Sequence, residues 1–154
     1  MSFTTQDLIA QAKSRITEWD VATAARELAV RKGIILLDVR EPAEFGEGCI
    51  GSACNVPRGV LEFKVDPTYP ACEKTLLDRQ LEILVYCKTG GRSAFAAHTL
   101  KQLGYLNVTS LAGGIEAWKR AGFDVTPVSQ ILSGEQAIET SHPAGPWEHG
   151  SPLP

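Results

Sequence analysis

The chain has 154 residues, enough for one domain with a sizeable core but too few to leave room for a second. Its composition, 44% hydrophobic and 21% charged, is that of an ordinary globular protein and not of a fibrous or disordered one. A formal net charge of -3 argues against general binding to nucleic acid or anionic membranes, because both require a basic protein surface. We therefore expect a single globular domain with no nucleic-acid or membrane partner.

Targeting signals and cysteine spacing indicate the compartment. Residues 1–20 lack the basic start and apolar run of a secretory signal, and no apolar stretch approaches membrane-spanning length. Cys49, Cys54, Cys72 and Cys87 form no C-x-x-C pair, so their spacing resembles neither a zinc site nor a disulfide framework. These features predict a cytoplasmic protein without a bound metal.

Two helices are predicted in the first 33 residues. Thr5 is a candidate cap for the first helix, and Thr17 with Asp20 has the spacing of a capping box for the second. Lys32-Gly33 provides the stop signal for the second helix. The apolar stripes of the two helices are Leu8, Ile9, Ala12 and Ile16, followed by Val21, Ala24, Ala25 and Leu28.

Strands and helices then alternate along the chain. The continuous apolar runs 34–37 and 83–86 predict strands buried on both faces, and shorter strands are expected at 53–56 and 108–111. Helices are predicted from Pro42, before Gly104 and before Gly122. This alternation predicts an α/β fold with a parallel sheet covered on both faces.

The composition divides the chain into three parts. Residues 1–16 form a helical extension, residues 17–125 form the domain proper, and residues 126–154 form a Pro/Gly-rich tail. Five of the nine prolines lie from Pro127 onward, which is why the tail is set apart from the domain.

The loop after the strand at 83–86 carries the features of a reactive site. Ligands of parallel α/β sheets bind beyond the carboxyl ends of strands, where the next helix offers unpaired backbone N–H groups. Gly90 and Gly91 allow these N–H groups to point inward as an anion-binding nest, and Lys88 and Arg92 add positive potential. Cys87 is therefore a candidate thiolate nucleophile. The complete loop is Cys87, Lys88, Thr89, Gly90, Gly91, Arg92 and Ser93.

Four separated blocks between about residues 17 and 123 resemble the signatures of single-domain rhodaneses, the sulfurtransferases of the rhodanese superfamily. The blocks are residues 38–42 with Glu44-Phe45, residues 48–57, residues 86–93 and residues 111–118. The resemblance implies a three-layer α/β/α fold with a central parallel sheet of about five strands. Cys49 departs from the pattern, since many members carry histidine there, and we expect a change in packing or hydrogen bonding, not a loss of activity.

The same resemblance implies a two-step sulfur transfer through a persulfide on Cys87, with no other cofactor. The thiolate takes a sulfane sulfur from a donor such as thiosulfate and passes it to a thiophilic acceptor such as cyanide, a thiol or a partner protein. The loop amides and Arg92 would hold the donor, Lys88 would attract it, and Arg58 could bind its oxyanion. Asp38 and Arg40 are assigned structural support of the loop, with Arg40 expected to pair with Glu44.

Other functions stay open at this point. The fold also resembles cell-cycle phosphatases and certain arsenate reductases, but those relatives place five residues between cysteine and arginine, whereas four separate Cys87 from Arg92. A persulfide carrier or a non-catalytic binding module is a second alternative. The sequence leaves the donor, the acceptor, the pathway and the choice between monomer and homodimer undecided.

Overall fold

The fold is known from a computed structural model that describes residues 2–129. Most of the tail predicted for residues 126–154 therefore lies outside the described residues. The helices are α1 (Thr5–Lys13), α2 (Val21–Val30), α3 (Pro42–Gly46), α4 (Leu61–Lys64), α5 (Gly91–Gln102) and α6 (Gly114–Arg120). The strands are β1 (Thr17–Trp19), β2 (Ile35–Asp38), β3 (Cys54–Asn55), β4 (Glu82–Tyr86) and β5 (Asn107–Leu111).

The five strands form one parallel sheet in the order β1-β5-β4-β2-β3. This arrangement confirms the predicted α/β class and the sheet of about five strands. β4 lies at the centre, so the loop that follows it emerges from the middle of the sheet's carboxyl edge.

Alternate side chains of β4 pack into two separate hydrophobic cores, one on each face of the sheet. Ile83 and Val85 face one core with Leu100 of α5, while Leu84 faces the other with Trp118 of α6. This alternation follows from the two-residue period of a strand, and it explains why 83–86 reads as a continuous apolar run. The helices therefore cover both faces of the sheet, which gives the three-layer architecture.

The predicted capping box at Thr17 is wrong. Residues 17–19 form the edge strand β1, in which Thr17 pairs with Thr109 of β5. Asp20 caps α2 without Thr17, because its carboxylate accepts a hydrogen bond from the N–H of Thr23 at 2.8 Å. A distant strand pairing thus overrides a local pattern.

Two further details differ from the sequence interpretation. Thr4 caps α1 in place of Thr5 and forms a capping box with Asp7. The segment 62–79, for which the sequence predicts no helix or strand, contains part of α4 and a short 3-10 helix at Lys74–Leu76. Among the described residues, no helix combines the length and apolar character needed to cross a bilayer.

Candidate active site

The residue predicted to be the nucleophile lies at the junction between the central strand and α5. Tyr86 ends β4, Cys87 follows it, and α5 begins four residues later at Gly91. Gly90 is the N-cap of α5 and has a φ of 106°, a left-handed conformation that is strained for residues with a Cβ. The chain can therefore turn back sharply enough to direct the first N–H groups of α5 toward the cysteine.

The sulfur atom of Cys87 lies against these N–H groups. Gly90 N donates to Sγ at 3.1 Å and Ser93 N donates at 3.4 Å. The Ser93 hydroxyl lies 3.5 Å from Sγ, and the buried Ser110 of β5 donates to that hydroxyl at 2.9 Å. Because backbone N–H donors and a helix start both favour negative charge, this environment suits a thiolate.

Access to the sulfur is restricted. Cys87 is only 1% exposed, whereas Lys88 and Thr89 at the tip of the loop are exposed. Cys87 therefore presents very little surface to solvent beneath the exposed tip of the loop.

The start of α6 forms hydrogen bonds with the backbone of the loop. Ile115 N donates to the carbonyl of Cys87 at 2.9 Å, and Glu116 N donates to that of Lys88 at 3.1 Å. A Cβ at Gly114 would come within 2.5 Å of the Cys87 carbonyl oxygen and would also collide with that of Lys88. The glycine allows α6 to approach closely enough for both hydrogen bonds to form.

The amino-terminal helix contacts the other side of the loop. A Cβ at Gly91 would lie 3.1 Å from the Ile9 side chain of α1. Farther along, Lys101 of α5 donates to the carbonyl of Arg15 at 2.7 Å. The helix predicted as an extension thus packs along α5 and touches the end of the loop.

The guanidinium of Arg92 is engaged by a carboxylate. Arg92 donates to both oxygens of Glu44 in α3, at 2.7 and 2.8 Å. These hydrogen bonds hold the pKa of Glu44 at about 2, below its usual 4.5, and raise the pKa of Arg92. The cation predicted to hold a donor anion therefore already carries a negatively charged partner.

Asp38 and Arg40 form a buried scaffold beside α3. Arg40 donates to both carboxylate oxygens of Asp38, with distances of 2.6 to 3.1 Å, and to the carbonyl of Gly48 at 2.7 Å. The expected ion pair between Arg40 and Glu44 is wrong, because Arg40 reaches only the Glu44 carbonyl, at 3.2 Å. The Glu44 carboxylate turns instead to Arg92.

Two other predicted cations occupy different surroundings. The Lys88 amine is more than half exposed at the loop tip, 3.7 Å from the carboxylate of Glu116. Arg58 donates to Glu62 at 2.6 Å and to the Thr99 hydroxyl at 3.0 Å. Since Thr99 lies eight residues beyond Gly91, about 12 Å along α5, the Arg58 side chain is held away from the loop. Its role in donor binding stays a prediction.

Sequence reasoning missed the partnership of Glu44 with Arg92 and the position of Ser110 beneath the loop. Neither has a local signal, because the partners are 48 and 17 residues apart. Cys49, the departure from the rhodanese pattern, is fully buried, and its thiol lies 3.6 Å from the carbonyl of Gly51. Burial raises the pKa of Cys49, consistent with a packing role.

Comparison with known proteins agrees with this geometry. The pattern that defines the Rhodanese-like domain matches residues 21–121. A sulfurtransferase of Allochromatium vinosum is 30% identical over 71% of this chain and 94% of its own length. Thiosulfate sulfurtransferase 16, chloroplastic, of Arabidopsis thaliana is 33% identical over 71% of this chain and 93% of its own.

A solved structure from Rhodopseudomonas palustris, described as a protein of unknown function and possible tyrosine phosphatase, superimposes with a TM-score of 0.74. It is 29% identical, and the match covers 81% of this chain and 96% of that one. The parallel sheet and its strand-to-helix cysteine loop define a three-layer α/β protein with a candidate thiol site. The chain belongs to the rhodanese-like family, whose members among these relatives include sulfurtransferases.

Proposed function

We propose that this protein is a sulfurtransferase that carries sulfane sulfur from thiosulfate to a thiophilic acceptor as a persulfide on Cys87. The observation that supports this function best is the contact of Cys87 Sγ with the N–H groups of Gly90 and Ser93 at the start of α5. N–H groups in this position stabilise the anionic sulfur of Cys87 both as the free thiolate and as the persulfide.

The first step is a displacement on sulfur. The Cys87 thiolate attacks the outer sulfur of thiosulfate, a new S–S bond forms, and the old bond to the sulfonate breaks with its electron pair leaving on sulfite. In the second step, cyanide or a thiolate attacks the outer sulfur of the persulfide, and the electron pair of the S–S bond returns to Cys87. With cyanide the products are thiocyanate and the free thiolate, so no external oxidant or reductant is needed.

A small anionic donor fits the charges around the loop. The exposed amine of Lys88 provides a first attraction, and Arg92 offers a forked guanidinium that matches a sulfonate as well as a carboxylate. The name of the Arabidopsis relative favours the same donor. A reducing cytoplasm, inferred from cysteine spacing, would keep Cys87 available as a thiol.

Mass spectrometry after thiosulfate treatment tests the persulfide directly. We expect a gain of one sulfur, about 32 Da, on the peptide that contains Cys87, reversible by reductant and absent in Cys87→Ser. Cys72→Ser is the matched control, because Cys72 lies outside the loop and is at least as accessible. The assignment would be contradicted if wild-type Cys87 gained no mass. It would also be contradicted if Cys87→Ser and Cys72→Ser abolished the mass gain to the same extent.

Turnover distinguishes an enzyme from its alternatives. An enzyme releases sulfite from thiosulfate and forms thiocyanate continuously with cyanide, while a carrier becomes charged once and waits for its partner. The phosphatase suggested for the R. palustris relative is tested with p-nitrophenyl phosphate. We expect no hydrolysis that depends on Cys87. Only four residues separate Cys87 from Arg92, so the loop is shorter than that of the phosphatases, which have five residues between cysteine and arginine.

A further inference from the structure

The ion pair between Arg92 and Glu44 places a carboxylate on the cation assigned to the donor. Both terminal nitrogens of Arg92 are bonded to Glu44, one to each carboxylate oxygen. A sulfonate would use the same fork, since its oxygens have nearly the same spacing as those of a carboxylate. Donor and Glu44 therefore cannot occupy this edge of the guanidinium together.

We propose that Glu44 is an internal competitor that sets the affinity and selectivity of the site for anionic donors, which must displace it from Arg92. This role depends on the sulfur-transfer function proposed above. It makes Glu44 a specificity-determining residue that acts through Arg92, without itself contacting the reacting sulfur atoms.

The pair can separate without leaving a charge buried away from water. The two side chains are 30% and 35% exposed, so water can solvate each partner when an anionic donor takes the place of Glu44. Glu44 also keeps a second donor when Arg92 leaves, because Glu41 N donates to its carboxylate at 2.9 Å. The carboxylate is therefore fixed at the start of α3, and Arg92 is the partner that is free to turn.

The backbone of Arg92 lies beside the sulfur. Arg92 directly precedes Ser93, whose N–H donates to Cys87 Sγ at 3.4 Å. The guanidinium that is bound to Glu44 thus belongs to the residue next to one that contacts the sulfur. An incoming anion that takes the guanidinium from Glu44 is brought toward the thiol by the same move.

Alkylation tests the competition without requiring sulfur transfer. Iodoacetate and iodoacetamide both form an S–C bond at Cys87 and release iodide, but only iodoacetate carries a carboxylate. We expect Glu44→Gln to raise the rate with iodoacetate by about two- to fivefold relative to iodoacetamide, as measured on the Cys87 peptide by mass spectrometry. Glu41→Gln is the matched control, since it removes one charge from the same helix region and leaves the ion pair with Arg92 in place.

Steady-state kinetics provide the second readout. The KM for thiosulfate should fall by about two- to fivefold in Glu44→Gln, with kcat changed much less, and should change little in Glu41→Gln. If Glu44 instead orients Arg92 for donor binding, Glu44→Gln raises KM and slows iodoacetate, which overturns the competitor role. Equal effects of the two variants also overturn it, because they would report general charge only.

The two proposals fail separately. A wild-type protein that gains no sulfur on Cys87 contradicts sulfur transfer, yet the alkylation ratio still reports whether Glu44 competes for Arg92. If the wild type turns over normally and Glu44→Gln leaves the alkylation ratio and the KM unchanged, sulfur transfer stands. The role of Glu44 as a competitor for Arg92 is then contradicted.

Discussion

Ser110 lies beneath the candidate loop and holds the hydroxyl group that Cys87 contacts. Its side chain is fully buried and donates to Ser93, whose hydroxyl in turn donates to the carbonyl of Gly90. This chain of hydroxyl groups joins β5 to the first turn of α5. It fixes the Ser93 N–H that points at the sulfur.

Ser110→Ala should therefore weaken both the fold and the site. The change leaves a buried hydroxyl with one partner fewer, so we expect the free energy of unfolding to fall by about 1 kcal/mol. Persulfide formation on Cys87 should also slow, because Ser93 is held less firmly. Urea unfolding and the rate of the mass gain measure the two effects. Ser52→Ala, at an exposed position, serves as the control, and equal behaviour of both variants would contradict this role.

At the scale of single residues, the sequence predicts the interactions between residues that are close together in the chain. The glycines and the helix start around Cys87 are contiguous in the chain, so their geometry follows from turn and capping rules. Glu44 reaches Arg92 across 48 residues, and which of two nearby arginines it chooses depends on how α3 lies against the loop. Arg40 is taken by the buried Asp38, which leaves Glu44 available.

At the scale of elements, α6 supports the loop through the close approach at Gly114. We expect Gly114→Ala to displace the loop carbonyls, to lower the melting temperature and to abolish persulfide formation. The φ of 62° is unfavourable for a residue with a Cβ, and the added Cβ would collide with the loop carbonyls. Gly122→Ala is the control, since its φ of 87° is also left-handed but no atom lies within 4 Å of the added Cβ. It should lose about 1–2 kcal/mol of stability and keep its activity.

Differential scanning calorimetry and the persulfide assay measure the pair of variants. Comparable activity in Gly114→Ala and Gly122→Ala would show that backbone strain, not contact with the loop, governs the first position.

Elements marked by an apolar run or by a start signal such as Pro42 were predictable, whereas β1 and α4 were not. The strands β2 and β4 are buried on both faces and therefore show as apolar runs. β1 has three residues, a mixed burial pattern and a partner about 90 residues away, so nothing near it in the chain identifies it as a strand. α4 spans a single turn and is specified mainly by Leu61, which is fully buried in the core.

At the scale of the whole molecule, Glu44 links stability to pH. The folded protein holds the pKa of Glu44 at about 2, whereas the unfolded chain binds a proton near the usual 4.5. The stability from this pair is therefore fully present above about pH 4.5 and is lost as the pH falls toward about 2.

Glu44→Gln should flatten this part of the acid-unfolding profile. Urea unfolding at a series of pH values across that range measures the slope for the wild type, for Glu44→Gln and for Glu41→Gln. The last variant keeps the ion pair and should follow the wild type. Parallel profiles for all three proteins would mean that the ion pair contributes nothing to acid resistance.

The parallel pairing of β1 with β5 has a consequence for synthesis on the ribosome. Strands β2, β3 and β4 leave the exit tunnel before β5 does, so the sheet can assemble from its middle while the first-made strand still has no neighbour. The amino-terminal segment must then wait for about 90 further residues before it docks. Nascent chains stalled before Asn107 should remain cleavable by protease near Thr17, and chains stalled well beyond Leu111 should become resistant there.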